Sequence, residues 1–329
     1  MARERLVAVS YPADGEFVRA NAEVLADDSE VVYTYELDEA QQAQILGRAD
    51  ALLAWDLSKE VPAGALQASV RLGFVQLLSA GVDAVDFSAL PRRLTVASNA
   101  GAYAGAVSEH ALAMTLSLAK RLPQRHAALV AGRFDKWATS LTLNGAICGI
   151  LGFGGIGVAT ARLLRAFGAR IHAVNRSGLT NEPAEFIGTL ADLDTVLAAA
   201  DALIVSLPLT LATRGLIGAR ELALMKPGAM IVNVARGPVI DERSLYEHLR
   251  THPDFSAGID TWWNEPTGDA PFQTEYPFLD LPNVLGSPHN SSIVPGTMLF
   301  AARQAAENAR RYLLGEAVTG VVRRSDYEA

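Results

Sequence analysis

One cysteine, Cys148, stands in a chain of 329 residues. No disulfide can close within the chain, which excludes a disulfide-stapled scaffold and fits a reducing compartment. Its place in an apolar run reads as a small buried strand residue. Basic runs are missing too: the net charge is −8 with no lysine- or arginine-rich segment. A nucleic acid partner is therefore not expected; an anionic small substrate stays compatible, because one nearby arginine outweighs a diffuse field at short range. No stretch reaches membrane-spanning length, and the best run, "ALAMTLSLA" at 111–119, contains Thr115 and Ser117. The N-terminal "MARERLVAVSYPADG" is basic, but its apolar core is too short for a signal peptide. The cytoplasm is the expected location, and "NSS" at 290–292 is then no glycosylation site. The histidines, at 110, 126, 172, 248, 252 and 289, are scattered, and no His/Cys/Asp spacing suits zinc or another metal. A G-x-S-x-G hydrolase elbow, low-complexity segments and short repeats are absent as well.

What is present is a globular composition, 50% hydrophobic and 19% charged, at a length that suits two domains. Strand-like runs at 6–10, 31–35, 51–55, 73–78 and 94–98 alternate with helical patterns at 16–27 and 38–50. After a long helical stretch over 104–131 a second series begins, with strands at 146–152, 170–175, 202–208, 230–235, 256–260 and 283–289. Helical patterns fill 156–167, 192–199, 218–224 and 241–251, and a last helix over 296–317 ends near Gly315. Alternation of this kind argues for α/β architecture with parallel sheets, and nearly all-apolar strands for burial on both faces.

Within the second series, "ICGILGFGGIG" (147–157) is an apolar strand, a glycine turn and the start of a helix. Gly152, Gly154, Gly155, Ile156 and Gly157 fit G-x-G-x-x-G: the first glycine permits the tight turn, the second a close approach of backbone to a pyrophosphate, the last close helix–strand packing. The helix N-terminus then faces the phosphates. Since this unit lies in mid-chain, the first hundred residues either stand alone or are completed by the C-terminal tail. The second arrangement is expected: 1–100 plus 300–329 as one domain, 101–299 as the dinucleotide-binding domain, with helices near 104–131 and 296–314 bridging them.

The next strand ends in Asn175, Arg176 and Ser177, where an NAD site places a carboxylate for the ribose hydroxyls. Asn175 removes the repulsion of a 2′-phosphate, Arg176 offers a planar fork of donors, and Ser177 another donor. NADP(H) is the expected cofactor. The alternative, that Arg176 is simply solvent-exposed and Asn175 bonds the ribose, leaves NAD acceptable.

Three later segments carry polar residues at the carboxyl ends of strands, where open α/β sheets bind ligands: "NVARGPVIDE" (233–242), "GIDTWWNEP" (258–266) and "SPHNSS" (287–292). Alone, Arg236 could be a surface arginine, Glu265 a solvated loop acid and His289 a cap. Together they make chemical sense: an arginine for an acid substrate, a histidine that moves a proton at neutral pH, and a glutamate that orients it. With a nicotinamide, the set suits interconversion of 2-hydroxy and 2-keto acids.

At this point the sequence resembles the D-isomer-specific 2-hydroxyacid dehydrogenases. The resemblance is carried by "LLSAGVDAVDFSAL" (77–90), "AVSEHALAMTLSLAKR" (106–121), "GILGFGGIG" (149–157), "LPLTLATRGLIGARELALMKPGAMIVNVARGPVIDERSL" (207–245), "DTWWNEP" (260–266) and "SPHNSS" (287–292). It implies two Rossmann-like, doubly wound parallel-sheet domains with a cleft between them, the substrate domain being built from both chain ends. It also implies a homodimer formed through the cofactor domains. Carried over by position, Arg236 binds substrate, and Glu265 and His289 form the acid/base pair. Ala80 and Gly81 offer N–H groups to the substrate carboxylate, flanked by Leu78 and Ser79. Asp260 contacts the nicotinamide amide, and Leu207, Val234, Ala235 and Ser291 line the cofactor.

Departures from the family pattern are the Asn175 position, paired Trp262 and Trp263, "NSS" after the histidine, and "NAGAYAG" at 99–105, where Tyr103 shapes the pocket or simply packs. Glutamate rather than glutamine beside the histidine argues against a formate dehydrogenase. The expected reaction is NADPH-dependent reduction of a small 2-keto acid such as glyoxylate or hydroxypyruvate. The alternatives are an NAD-dependent phosphoglycerate-type dehydrogenase and a cofactor-sensing binding protein. With no domain after residue 329, amino-acid feedback through an appended domain is not expected.

Overall fold

The computed structural model describes residues 5–328, among which twelve strands pair in parallel and sort into two sheets. The first sheet contains β1 (Leu6–Val9), β2 (Glu30–Tyr33), β3 (Ala51–Ala54), β4 (Phe74–Leu77) and β5 (Thr95–Ala97), in the order β2-β1-β3-β4-β5. β1, β3 and β4 are buried throughout, which is why β1 and β3 read as unbroken apolar runs and β4 as one interrupted only by Gln76. Helices α1 (Gly15–Leu25) and α2 (Glu39–Arg48) alternate with the strands, and α3 (Leu57–Glu60) and α4 (Ala65–Ala68) are single turns. Asp14 and Asp38 start the two long helices, their carboxylates accepting first-turn N–H groups that have no partner inside the helix.

The second sheet runs β12-β11-β10-β9-β6-β7-β8. Ahead of it lie α5 (Ala104–Ala119) and α6 (Leu122–Val130), which replace the single helix expected over 104–131. The break has two causes. Arg121 takes a left-handed φ of 50°, and Pro123, which has no N–H to donate, sits in the first turn of α6, where none is needed. Then follow β6 (Ile147–Leu151), α7 (Gly155–Ala166), β7 (Arg170–Val174), β8 (Phe186–Gly188), α8 (Leu193–Ala199), β9 (Ala202–Val205), α9 (Ala219–Leu224), β10 (Met230–Asn233), α10 (Glu242–Thr251), β11 (Ser256–Ile259) and β12 (Val284–Gly286). β8 was not expected: three residues at a sheet edge carry too little periodicity to read. β12 is likewise shorter than the run at 283–289, because Pro288 cannot donate to a ladder. β6 has β7 on one side and β9 on the other, so strand order reverses at β6. That reversal is where open α/β sheets leave a crevice for ligands. α5 packs on α7, β10 and β11.

The chain forms two compact units: the part up to Tyr103 together with the part from Val294, and Ala104–Ile293. In the first, α11 (Thr297–Leu314) places Ala305, Ala306 and Ala309 against Val7, Val9 and Phe74, and Gly315, at φ 74°, ends it. Asn308 then ties the tail back: its Nδ2 donates to Gln76 Oε1 and to the Thr319 carbonyl. Among the described residues no helix is long and apolar enough to cross a membrane, and no group of three or more His, Cys, Asp or Glu could hold a metal ion.

Candidate active site

The glycine turn joins β6 to α7. Gly152 has φ 98°, and a Cβ there would stand 2.7 Å from Leu207 N; a Cβ on Gly157 would stand 2.1 Å from the Gly152 carbonyl oxygen. Both glycines are required by the protein's own packing. Gly154 differs: a Cβ there would meet nothing within 4 Å. The first N–H groups of α7 have no acceptor inside the helix, so the turn presents donors beside open space. This cradle fits a dinucleotide pyrophosphate.

After β7 the chain turns on Asn175. Its Oδ1 accepts from Ser177 N at 3.0 Å and Gly178 N at 2.7 Å, and its Nδ2 donates to the Leu179 carbonyl at 2.7 Å. The amide is thus committed within the loop, while Arg176 and Ser177 are exposed.

The loops after β10, β11 and β12 lie at the same, carboxyl, edge of the sheet. Buried Asn233 pins the first: it accepts from Ala235 N at 3.0 Å and donates to the Arg236 carbonyl at 3.0 Å. A Cβ on Gly237 would lie 2.3 Å from the Trp262 carbonyl carbon, so this loop packs directly on the second. The paired tryptophans clamp the group. Trp263 Nε1 donates to the Ile240 carbonyl at 2.6 Å, and Trp262 Nε1 to the Ser287 carbonyl at 2.8 Å. Trp262 N also donates to Glu265 Oε1 at 2.9 Å.

Glu265 Oε2 lies 2.7 Å from His289 Nδ1. His289 has a left-handed φ of 49°, held by its N–H to the Asp260 carbonyl at 2.8 Å. Burial pushes the Glu265 carboxyl up. The hydrogen bond from His289, the Trp262 N–H, and the charges of His289 and Arg236 outweigh it and hold Glu265 below the ordinary glutamate range. The half-buried Arg236, whose Nη1 donates to the Ala235 carbonyl at 2.7 Å, is thus electrostatically coupled to this pair. Beside the pair a cavity of about 480 Å³ is lined by Trp262, Phe272, Leu279 and Pro288 among others.

Leu207, Val234, Ala235 and Ser291 are buried along the same edge. Asp260, at the end of β11, is fully buried; its Oδ1 accepts from Ser287 Oγ, and its Oδ2 has no partner among the described residues. A buried acceptor without a donor is what an amide of a bound cofactor would satisfy. His110 on α5, 2.9 Å from Ser287 Oγ, joins this group. Neither His110 nor Ser287 was singled out from sequence, since 177 positions separate them; only the packing of α5 on β11 brings them together.

In the other unit, Leu78 and Ser79–Gly81 follow β4. Among the described residues Ala80 and Gly81 make no hydrogen bond through their N–H groups. The Leu78 carbonyl is held by Tyr103 Oη at 2.7 Å and Asn99 Nδ2 at 3.2 Å. Burial pushes the Tyr103 hydroxyl up to about 12, so it serves as a fixed donor that supports this loop.

A glycine turn at the reversal point of a parallel sheet defines the class: a dinucleotide-binding α/β protein. The chain belongs to the D-isomer-specific 2-hydroxyacid dehydrogenases, whose family model "D-isomer specific 2-hydroxyacid dehydrogenase, NAD binding domain" matches residues 112–291. It is 32% identical to hydroxypyruvate reductase of Thermotoga maritima over 88% of this chain and 92% of that one. It is 34% identical to D-3-phosphoglycerate dehydrogenase of Archaeoglobus fulgidus over 70% of this chain and 43% of that one. The chain spans about half the length of the D-3-phosphoglycerate dehydrogenases of Archaeoglobus fulgidus and Methanocaldococcus jannaschii. The structure of a D-isomer specific 2-hydroxyacid dehydrogenase from Xanthobacter autotrophicus Py2, in complex with NADPH and MES, superposes with a TM-score of 0.82 at 29% identity, covering 99% of this chain and 100% of that one. The fold is accordingly two Rossmann-like domains.

Proposed function

We propose that the protein reduces a small 2-keto acid to the D-2-hydroxy acid with NADPH. The observation that carries this reading is the 2.7 Å contact between Glu265 Oε2 and His289 Nδ1 at the strand edge that also carries Arg236. The cofactor, when bound, supplies a hydride to the carbonyl carbon. Arg236 binds the substrate acid and polarises its carbonyl oxygen. His289, oriented through Nδ1 by ionised Glu265, delivers the proton to that oxygen from Nε2. Gly152–Gly157 and the first turn of α7 hold the pyrophosphate, and Asp260 receives the carboxamide. Arg176 and Ser177 favour a 2′-phosphate. Support for NADPH also comes from the Xanthobacter relative. Names among the relatives favour hydroxypyruvate reductase and phosphoglycerate dehydrogenase alike, so oxidation of a phosphorylated hydroxy acid with NAD is the second reading.

A 2-keto acid panel run with NADPH and NADH separates the two. Fastest turnover of glyoxylate or hydroxypyruvate with NADPH is expected; activity on the phosphorylated acid with the NAD pair alone would replace this reading with the second. His289→Ala should cut turnover by roughly 10²–10⁴-fold, the usual contribution of a general acid, and leave NADPH affinity nearly intact; unchanged turnover would refute the acid role.

The protein also acts as a homodimer in this reading. Leu122, Leu129, Val130, Phe134, Trp137 and Leu141, from one segment of the cofactor-domain unit, are 49–81% exposed, an apolar surface of the kind that a partner covers. Sedimentation equilibrium should give twice the 35.0 kDa chain mass; a monomer at micromolar concentration would exclude the dimer.

A further inference from the structure

Asp260 is unevenly used. Its Oδ1 accepts from Ser287 Oγ at 2.5 Å and from Asn290 N at 3.3 Å, while Oδ2 is buried with no partner among the described residues. Leaving half of a buried carboxylate without a donor is costly, so such an oxygen persists only where the surroundings fix it. The surroundings here include a helix from elsewhere in the fold. His110 Nε2 lies 2.9 Å from Ser287 Oγ and 3.6 Å from Asp260 Oδ1.

The direction of this chain follows from proton counting. An ionised carboxylate has no proton, and a serine hydroxyl has one. Ser287 gives its proton to Asp260, so the proton between His110 and Ser287 belongs to His110 Nε2. The order is His110 Nε2–H to Ser287 Oγ–H to Asp260 Oδ1, and it saturates one face of the carboxylate. The other oxygen is left as a desolvated acceptor whose orientation is set from α5.

We infer that His110, acting through Ser287, is a positioning residue for the nicotinamide half of the cofactor: it holds Asp260 so that Oδ2 accepts an amide N–H. The inference rests on the proposed nicotinamide-dependent reaction, and it adds residues to which that reaction assigns no part. The same residue also steadies the proton donor through its backbone, because the Asp260 main-chain carbonyl accepts the His289 N–H at 2.8 Å. With His110 truncated, Ser287 loses its donor and can rotate away from Asp260, and the acceptor is no longer fixed. Among the described residues no hydrogen bond joins His110, Ser287 or Asp260 to the turns after β6 and β7, so the adenosine half of the cofactor should be unaffected.

The test compares two ligands on the full chain by calorimetry: NADPH, and 2′-phospho-ADP-ribose, which is the same molecule without the nicotinamide. His110→Ala should weaken NADPH about tenfold, the effect of losing one hydrogen bond to a charged group, and leave 2′-phospho-ADP-ribose within about twofold. His110→Gln, which restores an N–H donor, should recover most of the loss. Ser287→Ala cuts the chain at its middle with a smaller change and should reproduce the alanine result, so the inference stays open to refutation if His110→Ala does not fold. Equal weakening of both ligands, or no weakening of NADPH, overturns the inference alone. A wild-type chain that binds neither NADPH nor NADH overturns the proposed reaction and this inference with it.

Discussion

In the turn after β6, a methyl group on Gly157 would collide with a backbone oxygen at 2.1 Å, and one on Gly152 with a backbone nitrogen at 2.7 Å. In the turn after β7 the steric demand is milder: Gly178 has φ 66°, and a Cβ there would meet a side-chain methyl of Thr189 at 3.2 Å and no backbone atom closer than 3.8 Å. There the side chain of Asn175 does the shaping, with its oxygen taking two backbone N–H groups and its nitrogen reaching the Leu179 carbonyl. Backbone packing leaves one acceptable residue at a position; a side-chain-built turn tolerates several, each presenting a different surface to a ligand. On the proposed reading, the first turn secures binding of a dinucleotide, and the second is free to choose among dinucleotides.

The comparison breaks most visibly at the glycines. Alanine ordinarily stabilises a helix relative to glycine by about 1 kcal/mol. At Gly157 the clash is with backbone that no rotamer change relieves, and overpacking of this kind costs roughly 1–3 kcal/mol or more. Gly157→Ala should lower Tm by roughly 4–10 °C, read by calorimetry on the cofactor-free protein. Gly154→Ala meets no atom within 4 Å, so its Tm should match the wild type while cofactor affinity falls at least tenfold. Equal Tm loss in both variants would mean that Gly154 is structural as well, and the difference drawn between the glycines would fall.

The same contrast explains what could be read from sequence. The fold class was legible because a strand buried on both faces is nearly all apolar, as β1, β3 and β9 are throughout and β4 and β10 are except for Gln76 and Asn233. Gly152 and Gly157 were legible because steric demand admits one residue type at each. Less was legible where a single backbone angle or a remote contact decides. The break between α5 and α6 turns on one left-handed residue, Arg121, within a helical pattern. The functions of Trp262 and Trp263 as clamps on neighbouring loops depend on carbonyls at 287 and 240, and that of His110 on a serine 177 positions away. Strand ends pointed to Arg236, Glu265 and His289 as candidates; which atoms would meet there was a matter of loop packing that no periodicity encodes.

A smaller effect tests the turn after β7. Asn175→Asp keeps the oxygen that accepts from Ser177 N and Gly178 N and loses only the donor to Leu179. The turn should survive, with a Tm within a few degrees of wild type, since an exposed loop bond contributes about 1 kcal/mol. What changes is charge. A carboxylate near a 2′-phosphate in a solvated loop repels it by roughly 1–2 kcal/mol, so the NADPH-to-NADH ratio of kcat/KM should fall about tenfold, with NADH improved as the new oxygen becomes available to the ribose hydroxyls. Arg176→Ala should lower the ratio by weakening NADPH without improving NADH, because it removes a donor and adds no acceptor. An unchanged ratio in both variants would show that this turn does not choose the cofactor, and the division of labour between the two turns would be lost even with the glycine results intact.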